Sequence, residues 1–523
     1  MRLAPALAAL AAVIALAAPA RGDDAFQAQA SLHLRTTTTQ NLPSTLVLYD
    51  RQARTFDVGS YLVPEGDERY GSLIASLRFS GALLGGDLRW VFLADTGEVR
   101  KKAFPNVATV CPALGGTGLD VVGSARCVGP GAPLEETRLA DPIVISNGRP
   151  IADEFSHTLF IREAYLAWSF GKAGFATLRA GRKRMVVADG FVHDDYSSGV
   201  ELDLDLGALG PSWAVSAAVF QPTRDFVNTA SAVSPVAVAR LDYLPSLFER
   251  AGVFVAGLRD RTDGVGELMR QSVIEERAGA LSRALGTPAE PSVARQLARA
   301  LDAPLESDAS IGWAGTSGSL APIRGHRLGW TLALQGGTLH SLSTTGPGGS
   351  VIELQDLPLH GRLASLRWES DLGDRVVAGA SFLYASGSGP PARKQAYEAF
   401  LGMSPFITTT NLFFGGGLSE TFAARQETAP GVNGRGVIAP ALSLSAEPWD
   451  KVTLLGKAAY LRADVVGPFG GSFYGTEADL SVTWSPRAWI MIGAEVDVLW
   501  PGDFYPGRAT IHKTVLAVDF LTP

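Results

Sequence analysis

Charged residues in this chain recur at every second position of otherwise apolar stretches. Glu201, Asp203 and Asp205 alternate with Val200, Leu202, Leu204 and Leu206, and Glu477, Asp479, Ser481 and Thr483 alternate with Ala478, Leu480, Val482 and Trp484. A period of two sends the charges to one face of a strand and the apolar side chains to the other. The basic residues Arg78, Arg89, Arg179, Lys183, Arg240, Arg327, Arg367, Lys457 and Lys513 form one set of this kind. The acidic residues Glu163, Glu201, Asp203, Asp205, Glu477, Asp479, Glu495 and Asp497 form its counterpart. A charge turned toward lipid at mid-membrane costs about 2–4 kcal/mol, so in a membrane barrel both sets face the lumen. Two roles use the same residues there: lining a selective path for solutes, or pairing across strands to stiffen the wall.

Other chemistry was sought in the same way. His193-Asp194-Asp195 offers an imidazole and carboxylate oxygens, either to a cation or simply to water. Glu201, Asp203 and Asp205 have a spacing superficially like a calcium loop, but their alternation with valine and leucines makes them one face of a strand. No zinc-protease His-Glu-x-x-His, no Gly-x-Ser-x-Gly elbow and no phosphate-cradling Gly-x-x-x-x-Gly-Lys occurs. None of the seven histidines pairs with a strand-borne serine in a recognisable motif, which argues against a barrel hydrolase. We expect no enzyme activity, no metal and no cofactor. The net charge of −7, with no basic stripe, argues against a nucleic-acid partner. Cys111 and Cys127 flank a Gly/Pro-rich stretch and are expected to pair in an oxidising compartment, closing a loop worth roughly 3 kcal/mol.

The elements that must carry these charges are strands. With 58 Gly, 31 Pro, 10 Trp and only 19% charged residues, the composition is that of a turn-rich all-β chain. Residues 1–22 read as a signal peptide: Arg2, an apolar core from Ala6 to Ala18, then small residues around Ala20 and Gly22. Residues 23–523 read as a single transmembrane β-barrel with no later apolar run of about 18 residues. The period of two holds over 25–36, 70–83, 86–95, 158–171, 173–183, 196–207, 211–222, 232–243, 249–260, 307–318, 325–339, 360–371, 374–386, 436–447, 449–463, 473–486, 488–500 and 508–520. These are 18 candidate strands, with Ile74 and Val91 as exceptions to the alternation. Tight turns such as Gly171-Lys172, Leu372-Gly373, Pro448-Trp449 and Pro486-Arg487 follow the even strands, and mostly long connections (37–69, 96–157, 261–306, 387–435) follow the odd ones. Short periplasmic turns, long extracellular loops and an even strand number are the rhythm of a Gram-negative outer-membrane barrel. Trp90, Trp168, Trp213, Trp330, Trp368, Trp449, Trp484 and Trp500 sit in or at the ends of these strands, where interfacial girdles lie. The connection 261–306 reads as helical, with Val293, Leu297 and Leu301 at four-residue spacing; it either caps the pore mouth or packs only on neighbouring loops. Leu516, Val518 and Phe520 face lipid in the last strand, and the terminal aromatic suits a signal for the barrel assembly machinery.

The run Thr158-Leu159-Phe160-Ile161-Arg162-Glu163-Ala164-Tyr165-Leu166, then Leu178-Arg179-Ala180-Gly181-Arg182, Asp189-Gly190 and Gly199, resembles the alginate export family of outer-membrane barrels. Gly475-Thr476-Glu477-Ala478-Asp479, Gly493-Ala494-Glu495-Val496-Asp497 and Phe504-Tyr505-Pro506-Gly507 add to the resemblance. It implies an 18-stranded barrel and an arginine-lined passage for an anionic polymer or small solute. The expectation is therefore a channel in the outer membrane, bounded by lipid and lipopolysaccharide, for polar anionic solutes or polysaccharide. The alternatives are a general or substrate-specific porin for small molecules, or a closed structural barrel.

Overall fold

The structure, a computed structural model, describes the chain from Phe26 to Thr522 apart from residues lying chiefly within 41–67, 97–159, 223–233, 262–307, 346–350, 390–394, 404–406 and 419–430. The signal segment, the Cys111–Cys127 pairing and almost all of the 261–306 connection fall outside the described residues.

Eighteen strands follow one another in chain order. The first six are β1 (Phe26–Gln40), β2 (Glu68–Leu83), β3 (Leu88–Asp95), β4 (Phe160–Phe170), β5 (Ala176–Val187) and β6 (His193–Asp205). The next six are β7 (Trp213–Pro222), β8 (Val236–Ser246), β9 (Glu249–Asp260), β10 (Asp308–Ile323), β11 (His326–His340) and β12 (Leu357–Asp371). The last six are β13 (Val376–Ala385), β14 (Val437–Trp449), β15 (Val452–Arg462), β16 (Phe473–Arg487), β17 (Ile490–Pro501) and β18 (Ile511–Leu521). Each pairs antiparallel with the next, and β1 closes the ring against β18 from Ser31↔Leu521 to Gln40↔His512. The sheet is therefore a closed 18-stranded antiparallel barrel, as the alternation predicted. Closure leaves no backbone edge unpaired, which a sheet surrounded by hydrocarbon requires.

Most strands turn apolar side chains outward. Val219, Val255, Leu334, Leu442, Leu480, Val496 and Leu516 are all exposed, with Leu334 and Leu442 reaching 66%. A continuous apolar exterior of this size is a lipid-facing surface. The exceptions to the alternation resolve inward: Ile74 shares the lumen face with Ser72, Ser76 and Arg78, and is buried there. All the connections between even strands and their successors are short, so the barrel has a short-turn end that also holds both termini. Trp90, Trp168, Trp213, Trp330, Trp368, Trp449 and Trp484 gather toward that end, with the ring of Trp213 tilted against Tyr243 at 5.1 Å and that of Trp168 against Phe170 at 5.1 Å. Trp500 alone of the predicted girdle lies toward the opposite end.

The large apolar cluster of the molecule lies inside the ring, where Phe254, Trp313, Ala333, Leu359, Leu363 and Leu383 meet residues of two inserted connections.

Candidate lumen constriction

The first insertion is the β5–β6 hairpin. Pairing of β4 with β5 stops at Ala164↔Arg182 and pairing of β6 with β7 stops at Ser197↔Pro222, yet β5 and β6 stay paired to Val187↔His193. The ribbon beyond those points leaves the wall. Gly181 and Gly199 face each other at the departure. Gly181 has φ +128°, and a Cβ there would collide with Ala164 O and Tyr165 Cα; one at Gly199 would collide with Val219 O and Phe220. Glycine alone fits where the ribbon turns inward. Its tip then packs on the inside of β9–β11: Val187, Ala188 and Val192 are buried among Phe254, Trp313 and Ala333. Asp189 pairs with Arg250 at 2.6 Å and accepts from Thr331 Oγ1 at 2.8 Å.

This bend decides the fate of His193-Asp194-Asp195. His193 is fully buried, with Nε2 2.9 Å from Ser197 Oγ, while Asp194 is held by Arg184 at 2.5 Å. The three side chains do not converge on a cation, and among the described residues no cluster could hold a metal ion.

The second insertion comes from the 386–436 connection. Tyr397 bridges onto β12, donating from its N–H to Pro358 O and accepting from His360 N–H, both at 2.8 Å. Leu401 N–H donates to Gln335 Oε1 at 2.6 Å, Trp313 Nε1 donates to Leu401 O at 2.9 Å, and Met403 N–H donates to Val192 O on the hairpin tip at 2.6 Å. By Thr408 the chain is at β15, where Lys457 Nζ donates to Thr408 O at 3.1 Å. In an 18-stranded ring β15 stands opposite β5 and β6. Met403 is thus anchored on the hairpin tip and Thr408 on β15, with 404–406 outside the described residues between them.

From Thr408 to Leu418 the described residues lie on the wall from β15 through β18 to β1. Glu477 accepts the N–H groups of Leu412 and Phe413, Asp479 that of Asn411, and Glu495 that of Leu418 at 2.7 Å. Asp497 accepts from Asn411 Nδ2 at 3.1 Å, Lys513 Nζ donates to Asn411 O at 3.2 Å, and Arg35 Nε donates to Leu418 O. Leu412, Phe413 and Phe414 are buried, with Phe413 4.8 Å from the Tyr474 ring.

The structure therefore splits the predicted charged set in two. Glu477, Asp479, Glu495, Asp497 and Lys513 do face inward, but beneath the inserted segment: none is more than 5% exposed. Their oxygens serve its backbone, and Lys457 serves it too. The others stand on the opposite arc. There Arg179 pairs with Glu201 at 2.9 Å and with Asp203, Lys183 with Glu201, and Arg240 with Asp242 at 2.7 Å. Looser contacts join Arg78 to Glu163 at 3.6 Å, Arg367 to Glu369 at 3.6 Å and Arg327 to Asp371 at 3.5 Å. Arg78, Arg327 and Arg367 keep 45%, 56% and 64% of their side chains exposed. Arg89 is exposed as well, one residue inside the short-turn end of β3.

Several lumen residues were not singled out from the sequence. Arg250 and Asp242 follow the same alternation as Arg240 and were within reach of it. Asn411, Gln335 and Trp313 carry no charge signal. The apolar run Ala399-Phe400-Leu401 and Leu412-Phe413-Phe414 was nevertheless visible, and a solvated loop has no use for it.

No family model matches the chain, that of alginate export included, and no curated protein matches it. Among the solved structures that resemble it are several from Pseudomonas aeruginosa. OccK5 (OpdH) aligns over 95% of this chain and 98% of its own at 11% identity and TM-score 0.47. OccK8 (OprE) aligns over the same shares at 11% identity and TM-score 0.46, and OpdK with vanillate over 95% and 98% at 10% and 0.44. Identities and TM-scores this low leave solute and activity to the geometry of the lumen itself.

Proposed function

We propose that this chain is an outer-membrane channel for small polar solutes, with a preference for anions, delivered to the envelope by the 1–22 signal and inserted by the barrel assembly machinery. Its apolar belt then meets outer-membrane lipid and lipopolysaccharide. The observation that carries this reading is the asymmetry of exposed charge. Arg78, Arg89, Arg327 and Arg367 keep exposed guanidinium groups inside the barrel, three of them only loosely joined to Glu163, Asp371 and Glu369, whereas Glu477, Asp479, Glu495 and Asp497 are covered. Arginine stays charged even when partly desolvated, and exposed lumen cations raise the local concentration of anions. The packing of the β5–β6 hairpin tip and of the 386–436 connection inside the ring favours small solutes over a polysaccharide.

Reversal potential in planar bilayers under a salt gradient tests it. Arg89→Ser and Arg367→Ser should each move the reversal potential away from anion preference. Arg179→Ser should move it less, because Glu201 and Asp203 already neutralise Arg179. The preference should shrink as salt is raised, since the Debye length falls from about 10 Å at 0.1 M to about 3 Å at 1 M. Unchanged reversal potentials at unchanged conductance would assign these arginines to stiffening the wall. A second reading, a closed structural barrel, draws on the depth of the two insertions; a silent wild-type protein in the bilayer selects it.

A further inference from the structure

From β8 to β12, the short-turn half of the lumen face carries Arg240, Arg250, Arg327 and Arg367 and, among the described residues, the wall carboxylates Asp242, Glu369 and Asp371. Those three carboxylates are already engaged: Arg240 holds Asp242 at 2.7 Å, Arg327 lies 3.5 Å from Asp371 and Arg367 lies 3.6 Å from Glu369. Arg250 comes no nearer to Asp242 than 3.9 Å. Its counter-ion is brought in from elsewhere in the chain. Asp189, at the tip of the β5–β6 hairpin, accepts from Arg250 Nη2 at 2.6 Å with one oxygen and from Thr331 Oγ1 at 2.8 Å with the other.

Neither the turn nor the anchoring of the tip accounts for a charge at this position. Ala188 and Asp189 both stand in the left-handed region, at φ 54° and 49°, and asparagine occupies that region as readily as aspartate. The tip is also held without the ion pair. Val187, Ala188 and Val192 are no more than 3% exposed, packed among Phe254, Trp313 and Ala333, and Val192 O accepts from Met403 N–H at 2.6 Å. Withdrawing Asp189 would strip that apolar contact, so its charge is a fixture of the lumen. The pair itself is wet: Asp189 and Arg250 keep 33% and 40% of their side chains exposed. An arginine neutralised beside an aqueous path no longer concentrates anions there. We propose that Asp189 is a selectivity-determining residue of the channel, a fixed anion that the hairpin carries onto Arg250 and that holds the anion preference down. This inference rests on the channel reading and names the residue that limits its selectivity.

Reversal potential of the full-length protein in planar bilayers tests it, with heat-modifiable gel mobility reporting that each variant has folded. A unit charge about 10 Å from a passing ion in water, screened at about 0.1 M salt, changes the anion-to-cation permeability ratio by about two-fold. Asp189→Asn keeps the turn and frees Arg250, so the ratio should rise by that factor. Arg250→Gln leaves Asp189 as an uncompensated anion and should lower the ratio by a like factor; it carries the test if Asp189→Asn does not fold. Combining the two removes a neutral pair and should return the ratio to that of wild type. Thr331→Val loosens the same contact without changing any charge and should leave the ratio where it was. A residue that only anchored the hairpin would behave otherwise, with all three single variants moving the ratio the same way. Shifts of one sign in Asp189→Asn and Arg250→Gln, or an unchanged ratio in whichever of them folds, overturn the assignment and leave a conducting channel standing. Failure of both to fold overturns it too, by making the pair an anchor. A wild type that conducts nothing overturns the channel reading, and this inference with it.

Discussion

Glycine at Gly181 and glycine at Gly336 are the same residue put to opposite uses. At Gly181 the φ of +128° and the collision of any Cβ with Ala164 O make a side chain impossible without moving the wall. At Gly336 a Cβ would meet nothing within 4 Å, and the position faces outward between Leu334 and Thr338. Gly181→Val should therefore cost about 1–3 kcal/mol or more in strain, and Gly336→Ala should stay within about 0.5 kcal/mol of wild type. Urea unfolding in lipid vesicles measures both. Equal stabilities for the two variants would mean that the ribbon does not turn inward at Gly181. Nothing in the sequence separates these glycines, because both sit in regular alternation; only the neighbouring strand, brought in by the fold, distinguishes them. The same limit applied to Glu495 and Asp497. Alternation correctly gives the face they occupy, but a lumen face can be wet or covered, and what covers it comes from a segment some 80 residues away.

At the scale of elements, the strands were legible almost to their ends and the inserted connections were not. The barrel alternates because lipid and lumen differ, a contrast each strand records in its own residues. An insertion records only that it has something to bury. The strand expected at 196–207 begins at His193 instead, because beyond Ser197 its partner is the hairpin and not the wall, so no lipid-facing signal marks the extension. The first half of the 386–436 insertion shows how such an element is fixed: Gln335 on β11 supplies the acceptor for Leu401 N–H, and Trp313 on β10 the donor for Leu401 O. Gln335→Leu keeps the volume and removes the acceptor, leaving a buried N–H without a partner. That should cost about 1–3 kcal/mol in urea unfolding. Trp313→Phe should cost less through that contact, since a carbonyl left without one donor is more easily tolerated than an orphaned N–H. If Gln335→Leu matches wild type, Leu401 does not depend on β11 for its place.

The whole molecule has two unlike ends, and that polarity sets its orientation. Both described termini, Phe26 and Thr522, and every tight turn lie at one end, together with eight of the tryptophans, while all the extended connections leave from the other. Chain exit through the envelope delivers the termini from the periplasm, and short turns are the cheaper structures to leave on that side while long connections cross once. The orientation expected is therefore short turns inside and connections such as 463–472 outside. In a background lacking Cys111 and Cys127, a cysteine replacing the exposed Val466 should react with a membrane-impermeant maleimide on intact cells. One replacing the exposed Leu372, in the turn between β12 and β13, should react only after the outer membrane is opened. Each position is its own control for accessibility, because both side chains are more than half exposed and differ only in the end of the barrel they occupy. Labelling of Leu372→Cys on intact cells with protection of Val466→Cys would invert the barrel and place the exposed arginines at its outer mouth. Labelling of neither on intact cells but of both after permeabilisation would remove the protein from the outer membrane altogether.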